Sequence, residues 1–152
     1  MFIKEIEVAL LKGEIDLAIH SVKDLPVQIT SGLVFAAYLK REDPRDVLVL
    51  KEGYNDINDL PQGAKIGTGS KRRMYQLIKY RPDLEIIPIR GNIDTRIRKI
   101  EDENLDGVVL AAAGLNRAGL NNHISYHLPI DIMIPAPAQG AQILHRIGRR
   151  PV

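Results

Sequence analysis

The stretch Ile66-Gly67-Thr68-Gly69-Ser70-Lys71-Arg72-Arg73 predicts a strand that turns tightly into a helix. The apolar residues Ala64 and Ile66 are typical of a strand end, the two glycines permit a tight turn, and Ser70 is a favourable N-cap for a helix over 71–80. Such a helix directs unpaired backbone N–H groups and the positive end of its dipole toward one point. The two arginines add forked cationic donors that suit carboxylates or phosphates. The stretch therefore predicts a binding site for an anion.

Basic residues are concentrated around this stretch. The chain of 152 residues has a formal net charge of +2, but residues 65–100 contain ten lysines and arginines against three acids. That segment carries +7 and the remainder of the chain −5, so a local positive potential is expected to attract anionic ligands. A solvated basic face without a ligand is the alternative, and the charge count alone leaves it open.

Composition excludes several other classes of protein. A hydrophobic content of 45% with 26% charged residues is ordinary for a soluble globular protein, and no apolar run reaches the length of a membrane span. Cysteine is absent, which excludes disulfides, thiolate metal ligands and a cysteine nucleophile in this chain. We expect a cytoplasmic location and no membrane partner. Aromatic residues make up only 5%, so we expect no nucleic-acid partner, although the basic segment keeps a nucleic-acid-binding domain as an alternative.

A second strand–turn–helix unit follows the first. Residues 84–89 predict a strand, and Arg90-Gly91-Asn92 predicts a turn with Asn92 as the helix N-cap. Isoleucines at 93, 97 and 100 have the i, i+4, i+7 spacing of a buried helical stripe. Because both helices would follow strands of one sheet, four arginines could line a single cleft: Arg72, Arg73, Arg90 and Arg96. The alternative is that some of them pair with acids such as Asp83 or Asp94.

The rest of the chain alternates between helix and strand patterns, which predicts an α/β fold with a mostly parallel sheet flanked by helices. A helix is expected over 2–12, ended by Gly13, and a short helix over 123–128. Strands are expected over 16–20, 32–39, 47–50 and 106–113. Residues 142–152 show no clear pattern and are expected to be mobile.

Polar residues that follow the strand 16–20 are a second candidate site. Lys23 and Asp24 are expected on a loop before Pro26, where Asp24 could hold a cationic group or transfer a proton. A Lys-Asp pair is also common on any protein surface, so the pattern leaves both interpretations open. His123 and His127 have a spacing that would suit a metal, but no HExxH motif accompanies them and we expect no metal site. His20 is expected to be a hydrogen-bonding residue at a strand end.

Several motifs taken together resemble one known family. They are Phe2-Ile3-Lys4-Glu5-Ile6-Glu7, His20-Ser21-Val22-Lys23-Asp24-Leu25-Pro26, Arg41-Glu42-Asp43-Pro44-Arg45-Asp46, Gly67-Thr68-Gly69-Ser70-Lys71-Arg72-Arg73, Arg90-Gly91-Asn92-Ile93-Asp94-Thr95-Arg96 and Pro137-Ala138-Gln139-Gly140-Ala141. In this order and spacing they resemble the porphobilinogen deaminase (hydroxymethylbilane synthase) family over nearly the whole chain.

The resemblance implies domains like those of type II periplasmic binding proteins. Residues 1–44 and 135–152 would be an incomplete first domain with the crossover segment, and residues 45–134 a second domain. The resemblance also implies a transferase of tetrapyrrole and heme biosynthesis, usually monomeric. It condenses four porphobilinogen molecules into hydroxymethylbilane with release of ammonia, on a dipyrromethane cofactor.

The resemblance further assigns roles to individual residues. Asp24 would be the catalytic carboxylate. Residues that bind the carboxylate groups of cofactor and pyrrole substrate would be Ser21, Lys23, Asp24, Thr68, Ser70, Arg72, Arg73, Arg90, Gly91, Arg96 and Gln139. The alternative from a different class is a non-catalytic module that binds a small anion.

This chain departs from the family pattern in three respects. It begins later than the family pattern, it has no counterpart of the domain that carries the cofactor cysteine, and residues 142–148 diverge where an apolar strand is expected. These departures predict a piece of a longer protein that is inactive alone and could self-associate.

Overall fold

The computed structural model describes residues 2–148, and the chain forms two compact units, Met1–Glu42 with Pro137–Val152 and Asp43–Ala136. The helices are α1 Phe2–Lys12, α2 Lys71–Tyr80, α3 Ile93–Asp102 and α4 Ala112–Ala118. The strands are β1 Ala18–Ser21, β2 Leu33–Tyr38, β3 Asp46–Leu50, β4 Lys65–Gly67, β5 Glu85–Ile87, β6 Gly107–Ala111, β7 Tyr126–His127 and β8 Gln142–Ile147. Short 3-10 turns lie at Val22–Asp24 and Asn121–His123. Among the helices of residues 2–148, none combines the length and apolar character that crossing a membrane requires.

The unit of residues 43–136 is built on a five-stranded sheet in the order β5-β4-β6-β3-β7. β4 pairs in parallel with β5 and β6, whereas β3 pairs antiparallel with β6 and β7. The α/β class is confirmed, but the sheet is mixed rather than mostly parallel. Helices α2 and α3 supply the crossovers that parallel pairing of β4, β5 and β6 requires, while β3 runs in the opposite direction.

The core of this unit lies on both faces of β3, whose five residues are all buried. Leu48 and Leu50 belong to one apolar cluster, which includes Leu77 of α2, while Val47 and Val49 belong to the other, which includes Ile100 of α3. Alternate residues of a strand point to opposite faces, so one strand anchors both helices.

The unit of residues 1–42 and 137–152 contains a three-stranded antiparallel sheet with β8 between β1 and β2. The expectation that residues 142–152 lack structure is therefore wrong for residues 142–147. Ile143 and His145 are buried and Leu144 and Arg146 are not, which is the alternation of a strand; a histidine at a buried position conceals that pattern in the sequence. Residues 149–152, also part of that expectation, lie outside the described residues.

The predicted helices α1, α2 and α3 are confirmed, and Gly13 follows α1 with the positive φ of 71° that suits glycine. Two other predictions are wrong. The strand predicted over 106–113 ends at Ala111 and α4 begins at Ala112, because an alanine run favours helix. Residues predicted as a helix over 123–128 instead form the end of a 3-10 turn and then β7, which pairs with β3.

Candidate anion site

Two helix N-termini lie at the same edge of the larger sheet. Strands β4 and β5 are parallel neighbours, and α2 and α3 follow them. The Ser70 side chain caps α2 by accepting a hydrogen bond from the Arg73 backbone N–H at 3.4 Å. The Asn92 side chain caps α3 by accepting one from the Thr95 backbone N–H at 2.9 Å. Both predicted N-caps are confirmed, and both helix dipoles present their positive ends at this edge.

Each turn contains a glycine where the backbone is closely packed, and Gly69 brings the first turn against the second. A Cβ at Gly69 would lie 2.6 Å from the carbonyl oxygen of Ile89, closer than a side chain can approach backbone. Gly91 has a φ of +127°, and a Cβ there would lie 2.7 Å from Cγ2 of Thr95. These two positions accept only glycine without a shift of the backbone. The turns after β4 and β5 are therefore in direct contact, which places their side chains around one space.

That space is a cavity of about 550 Å³. Its lining residues are Gly69, Ser70, Pro88, Ile89, Arg90, Arg96 and Lys99. The three cationic side chains face no acid among these lining residues. The Arg96 guanidinium donates from Nε to the carbonyl oxygen of Gly91 at 2.7 Å, so the turn also fixes the orientation of this arginine. The cavity is suited to carboxylate or phosphate groups.

Arg72 and Arg73 have a different environment, because both pair with Asp46. Arg73 donates to Asp46 Oδ1 from Nη2 at 2.7 Å and from Nε at 3.0 Å, and its Nη1 donates to the Val109 carbonyl oxygen at 3.0 Å. Arg72 Nη1 lies 2.8 Å from Asp46 Oδ2 and donates to the Ile134 carbonyl oxygen at 2.6 Å. The Asp46 side chain is fully buried and that of Arg73 nearly so. The carboxylate thus joins the first turn of α2 to the start of β3.

Burial lowers the pKa of Arg73 from its usual value, and the like charges of Arg72 and Arg96 lower it further, while the Asp46 carboxylate raises it. The carboxylate therefore opposes the cost of placing a guanidinium in the interior.

The structure thus brings Ser70, Arg90 and Arg96 together around one cavity and ties Arg72 and Arg73 to a buried carboxylate. Arg72 and Arg73 both pair with Asp46, and not with Asp83 or Asp94, the acids considered from the sequence. Sequence reasoning missed Asp46, although a carboxylate at the start of the wholly apolar run 47–50 was a signal that it needs a buried cationic partner.

Thr68 has a structural role in the same turn. Its side chain is nearly buried, and its Oγ1 accepts a hydrogen bond from the Ser70 backbone N–H at 3.2 Å. This bond fixes the chain just before the α2 N-cap.

The other predicted site residues lie in the unit of residues 1–42 and 137–152. Lys23 Nζ donates to Oε1 of Gln139 at 3.4 Å, and the Gln139 carbonyl oxygen accepts from Arg41 Nε at 3.0 Å. Asp24 is exposed and ends the 3-10 turn that follows β1, rather than lying on an irregular loop. Ser21 is the last residue of β1. Lys23 and Gln139, which are distant in sequence, are therefore in contact.

The histidines considered as metal ligands lie on separate elements, apart from one another in secondary structure. Within residues 2–148, no three His, Cys, Asp or Glu side chains are grouped as a metal ion would require. His123 ends a 3-10 turn and His127 lies on β7, so the helical spacing assumed for them does not exist. His20 is buried in β1, where its ring packs edge-on against that of His145 with centroids 5.5 Å apart.

The chain has an α/β fold, and its larger unit carries a cavity lined by cationic side chains. A putative methionine-binding lipoprotein of Bacillus subtilis superposes with a TM-score of 0.55 at 15% identity, covering 95% of this chain and 68% of that one. An arginine-specific periplasmic binding protein of Salmonella typhimurium superposes with a TM-score of 0.51 at 15% identity, covering 90% of this chain and 61% of that one. At these identities the likeness establishes the fold alone.

The chain belongs to the porphobilinogen deaminase family. The family model described as porphobilinogen deaminase, dipyromethane cofactor binding domain, matches residues 1–147. A porphobilinogen deaminase of Clostridioides difficile is 62% identical over 141 residues, which are 93% of this chain and 47% of the relative. One of Clostridium novyi is 56% identical over 143 residues, 92% of this chain and 48% of the relative. The chain therefore spans about half the length of the curated relatives it matches.

The family match extends through β8 to residue 147, so the apparent divergence of residues 142–148 does not interrupt the family fold. The cavity chemistry also fits the cofactor for which the family model is named. Arg90, Arg96, Lys99 and the Ser70 hydroxyl line the cavity with hydrogen-bond donors of the kind that carboxylate groups accept. The chain has no cysteine, so it offers no thiol to which that cofactor could be tethered.

Proposed function

We propose that this chain supplies the anion-binding part of a porphobilinogen deaminase, which condenses four porphobilinogen molecules head to tail into hydroxymethylbilane and releases ammonia. The observation that carries the proposal is the cavity lined by Ser70, Arg90 and Arg96, with no acid among its lining residues. The acetate and propionate groups of pyrroles are carboxylates, which such donors bind. The dipyrromethane cofactor would prime the growing chain when bound.

In this proposal the residues of unit 43–136 hold the carboxylates. Arg90 and Arg96 are the direct ligands, assisted by the Ser70 hydroxyl and by Gly91, which orients Arg96. Arg72 keeps 26% of its side chain exposed and adds a further donor. Arg73 and Thr68 support the turn from the interior, and Arg73 adds positive charge.

Asp24 is proposed as the catalytic carboxylate, with Ser21, Lys23 and Gln139 as polar neighbours in the same unit. In each condensation the aminomethyl nitrogen of an incoming porphobilinogen is protonated, its C–N bond breaks and the nitrogen leaves as ammonia. The free α-carbon at the end of the growing chain attacks the resulting electron-poor methylene carbon, and that α-carbon then loses its proton. An exposed carboxylate can stabilise the cationic intermediate and transfer these protons. The exposure of Asp24 at the end of its turn supports this role.

The experiment replaces the matching segment of the Clostridioides difficile relative with residues 1–147 of this chain. We expect the chimera to form hydroxymethylbilane, and Asp24→Asn to reduce kcat by about 10²–10⁴-fold because general acid–base catalysis is lost. Porphobilinogen binding should persist, and the exposed carboxylate Asp16 provides the control Asp16→Asn. A normal rate in Asp24→Asn would reject Asp24 as the catalytic carboxylate, whereas a chimera that binds porphobilinogen without forming hydroxymethylbilane would favour the non-catalytic anion-binding module.

The chain by itself is proposed to have no turnover, because it has no cysteine to tether the cofactor. Incubation with porphobilinogen should give no sustained hydroxymethylbilane. Sustained formation would contradict this proposal.

We further propose that residues 1–44 with 135–152 and residues 45–134 represent the first and second domains of the family, and that the protein acts in the cytoplasm. The two compact units support the division. Self-association is proposed through the edges of the three-stranded sheet, since β1 and β2 each pair only with β8 within the described residues. Sedimentation velocity tests this self-association, and a chain that stays monomeric at high concentration would contradict it.

A further inference from the structure

Lys99 is a third cation of the cavity, and neither the motifs nor the family resemblance assigned it a role. It lies one helical turn after Arg96 on α3, so both side chains project from the same face of the helix. Both line the space into which Ser70 and Arg90 also face. The anion pocket therefore has two arginines and one lysine.

The present partner of Lys99 is Glu103, four residues further along the helix. The two side chains form an ion pair, with 24% of the lysine and 39% of the glutamate side chain exposed. Glu103 is not among the residues that line the cavity. The lysine can therefore contact either Glu103 or a ligand in the cavity.

Three features make this ion pair easy to exchange. A lysine placed before the glutamate is the less favourable order for a helical i, i+4 pair. Glu103 is the C-cap of α3, where the helix dipole disfavours a negative charge. Partly exposed pairs of this kind contribute little to stability, because solvent screens the two charges. A carboxylate held by Arg96 would meet the same lysine inside a more confined space.

We propose that Lys99 is an exchangeable ligand of the anion site, paired with Glu103 when the cavity is empty and with a ligand carboxylate when it is filled. The inference rests on the proposed function of this cavity and adds a specificity-determining residue to it. Glu103 then competes with the ligand, so it lowers affinity. The lysine favours ligands with more carboxylates, because two arginines already satisfy two of them.

The test is calorimetric titration of this chain at fixed ionic strength with porphobilinogen and with 1,2,3,4-butanetetracarboxylate. Lys99→Gln should weaken binding of the tetracarboxylate by about tenfold, as expected for one lost charged hydrogen bond. Glu103→Gln should tighten it about two- to fivefold, since a competing carboxylate is removed. Arg98→Gln is the matched control, because Arg98 is exposed on the same helix outside the cavity and carries the same charge.

The inference is overturned if Lys99→Gln weakens binding no more than Arg98→Gln does, or if Glu103→Gln does not tighten it. In that case a loss of binding in Arg96→Gln would leave the proposed function standing. If Arg96→Gln also binds normally, the cavity is not the anion site and both proposals fail. Lys99→Gln is expected to lower the affinity and Glu103→Gln to raise it. A general loss of folding would lower the affinity in both variants, so the two results distinguish a ligand role from unfolding.

Discussion

Arg73 and Asp46 form a buried ion pair in which Nη2 of the arginine lies 2.7 Å from Oδ1 of the aspartate. The pair joins the first turn of α2 to the first residue of β3. Arg72 shares the same carboxylate. The negative charge of one aspartate thus compensates the positive charges of two arginines that are adjacent in sequence.

Removal of this carboxylate should strongly destabilise the protein. We expect Asp46→Ala to lower the free energy of unfolding by about 3–5 kcal/mol, because it leaves a buried guanidinium without its counterion. Urea unfolding measures the effect. The control is Asp102→Asn at the exposed C-terminal end of α3, which should change stability by less than about 0.5 kcal/mol. Equal effects of the two substitutions would show that the buried pair is not important for stability.

Close contact of the two turns predicts that Gly69 cannot be replaced. Gly69→Ala places a Cβ against the Ile89 carbonyl oxygen and should separate the turns, which lowers both stability and anion affinity. Gly63→Ala is the control: Gly63 has a φ of +76° with nothing near its Cβ position, so it reports backbone strain of about 1–2 kcal/mol without a clash. The prediction fails if Gly69→Ala binds porphobilinogen as well as Gly63→Ala does.

Lowering the pH should reduce the folding stability of the protein, because the Asp83 carboxylate becomes protonated. The Arg81 side chain, by its hydrogen bonds, lowers the pKa of Asp83 to about 2. The unfolded carboxyl has a pKa of about 3.9, so its contribution to stability is complete above about pH 4 and is lost as pH falls toward about 2. Asp83→Asn should therefore flatten the pH dependence of the urea midpoint in this range. An unchanged profile would contradict the pairing.

His145 should impose a second pH dependence at higher pH. Burial lowers its pKa, and the neighbouring His20 lowers it further, while Glu7 raises it. The unfolded imidazole has a pKa of about 6.5 and binds a proton more readily than the folded one, so stability falls as pH decreases below about 6.5. Thermal unfolding between about pH 8 and pH 5.5 should show this fall.

His145→Phe should reduce the fall, because a neutral ring also packs beside Phe35. His123→Gln is the control, since His123 is exposed. A steep fall that persists in His145→Phe would assign the effect to another group.

The local strand–turn–helix units were predictable because their signals are short-range. Ser70 and Asn92 are residues that cap helices, and the periodic isoleucines of α3 mark its buried face. Placement of Arg90 and Arg96 at one cavity followed from the rule that neighbouring parallel strands end at the same edge. These predictions required no knowledge of distant contacts.

The features that could not be predicted depend on contacts between distant residues. The direction of β3 is set by pairing with β6 and β7, and nothing within its own sequence determines it. Strand β8 is specified by β1 and β2 on either side of it, with a buried histidine that disguises its pattern. The partners of Arg72 and Arg73 could not be assigned because Asp46 lies on a strand far away in sequence.

Backbone amide NMR during titration with porphobilinogen tests the anion site most directly. We expect saturable shifts concentrated in the amides of residues 69–73 and 90–96, reduced by Arg96→Gln and unaffected by Arg98→Gln. This is the result for a carboxylate held at the N-termini of α2 and α3. Shifts that are absent, or scattered over the chain without saturation, would contradict the account.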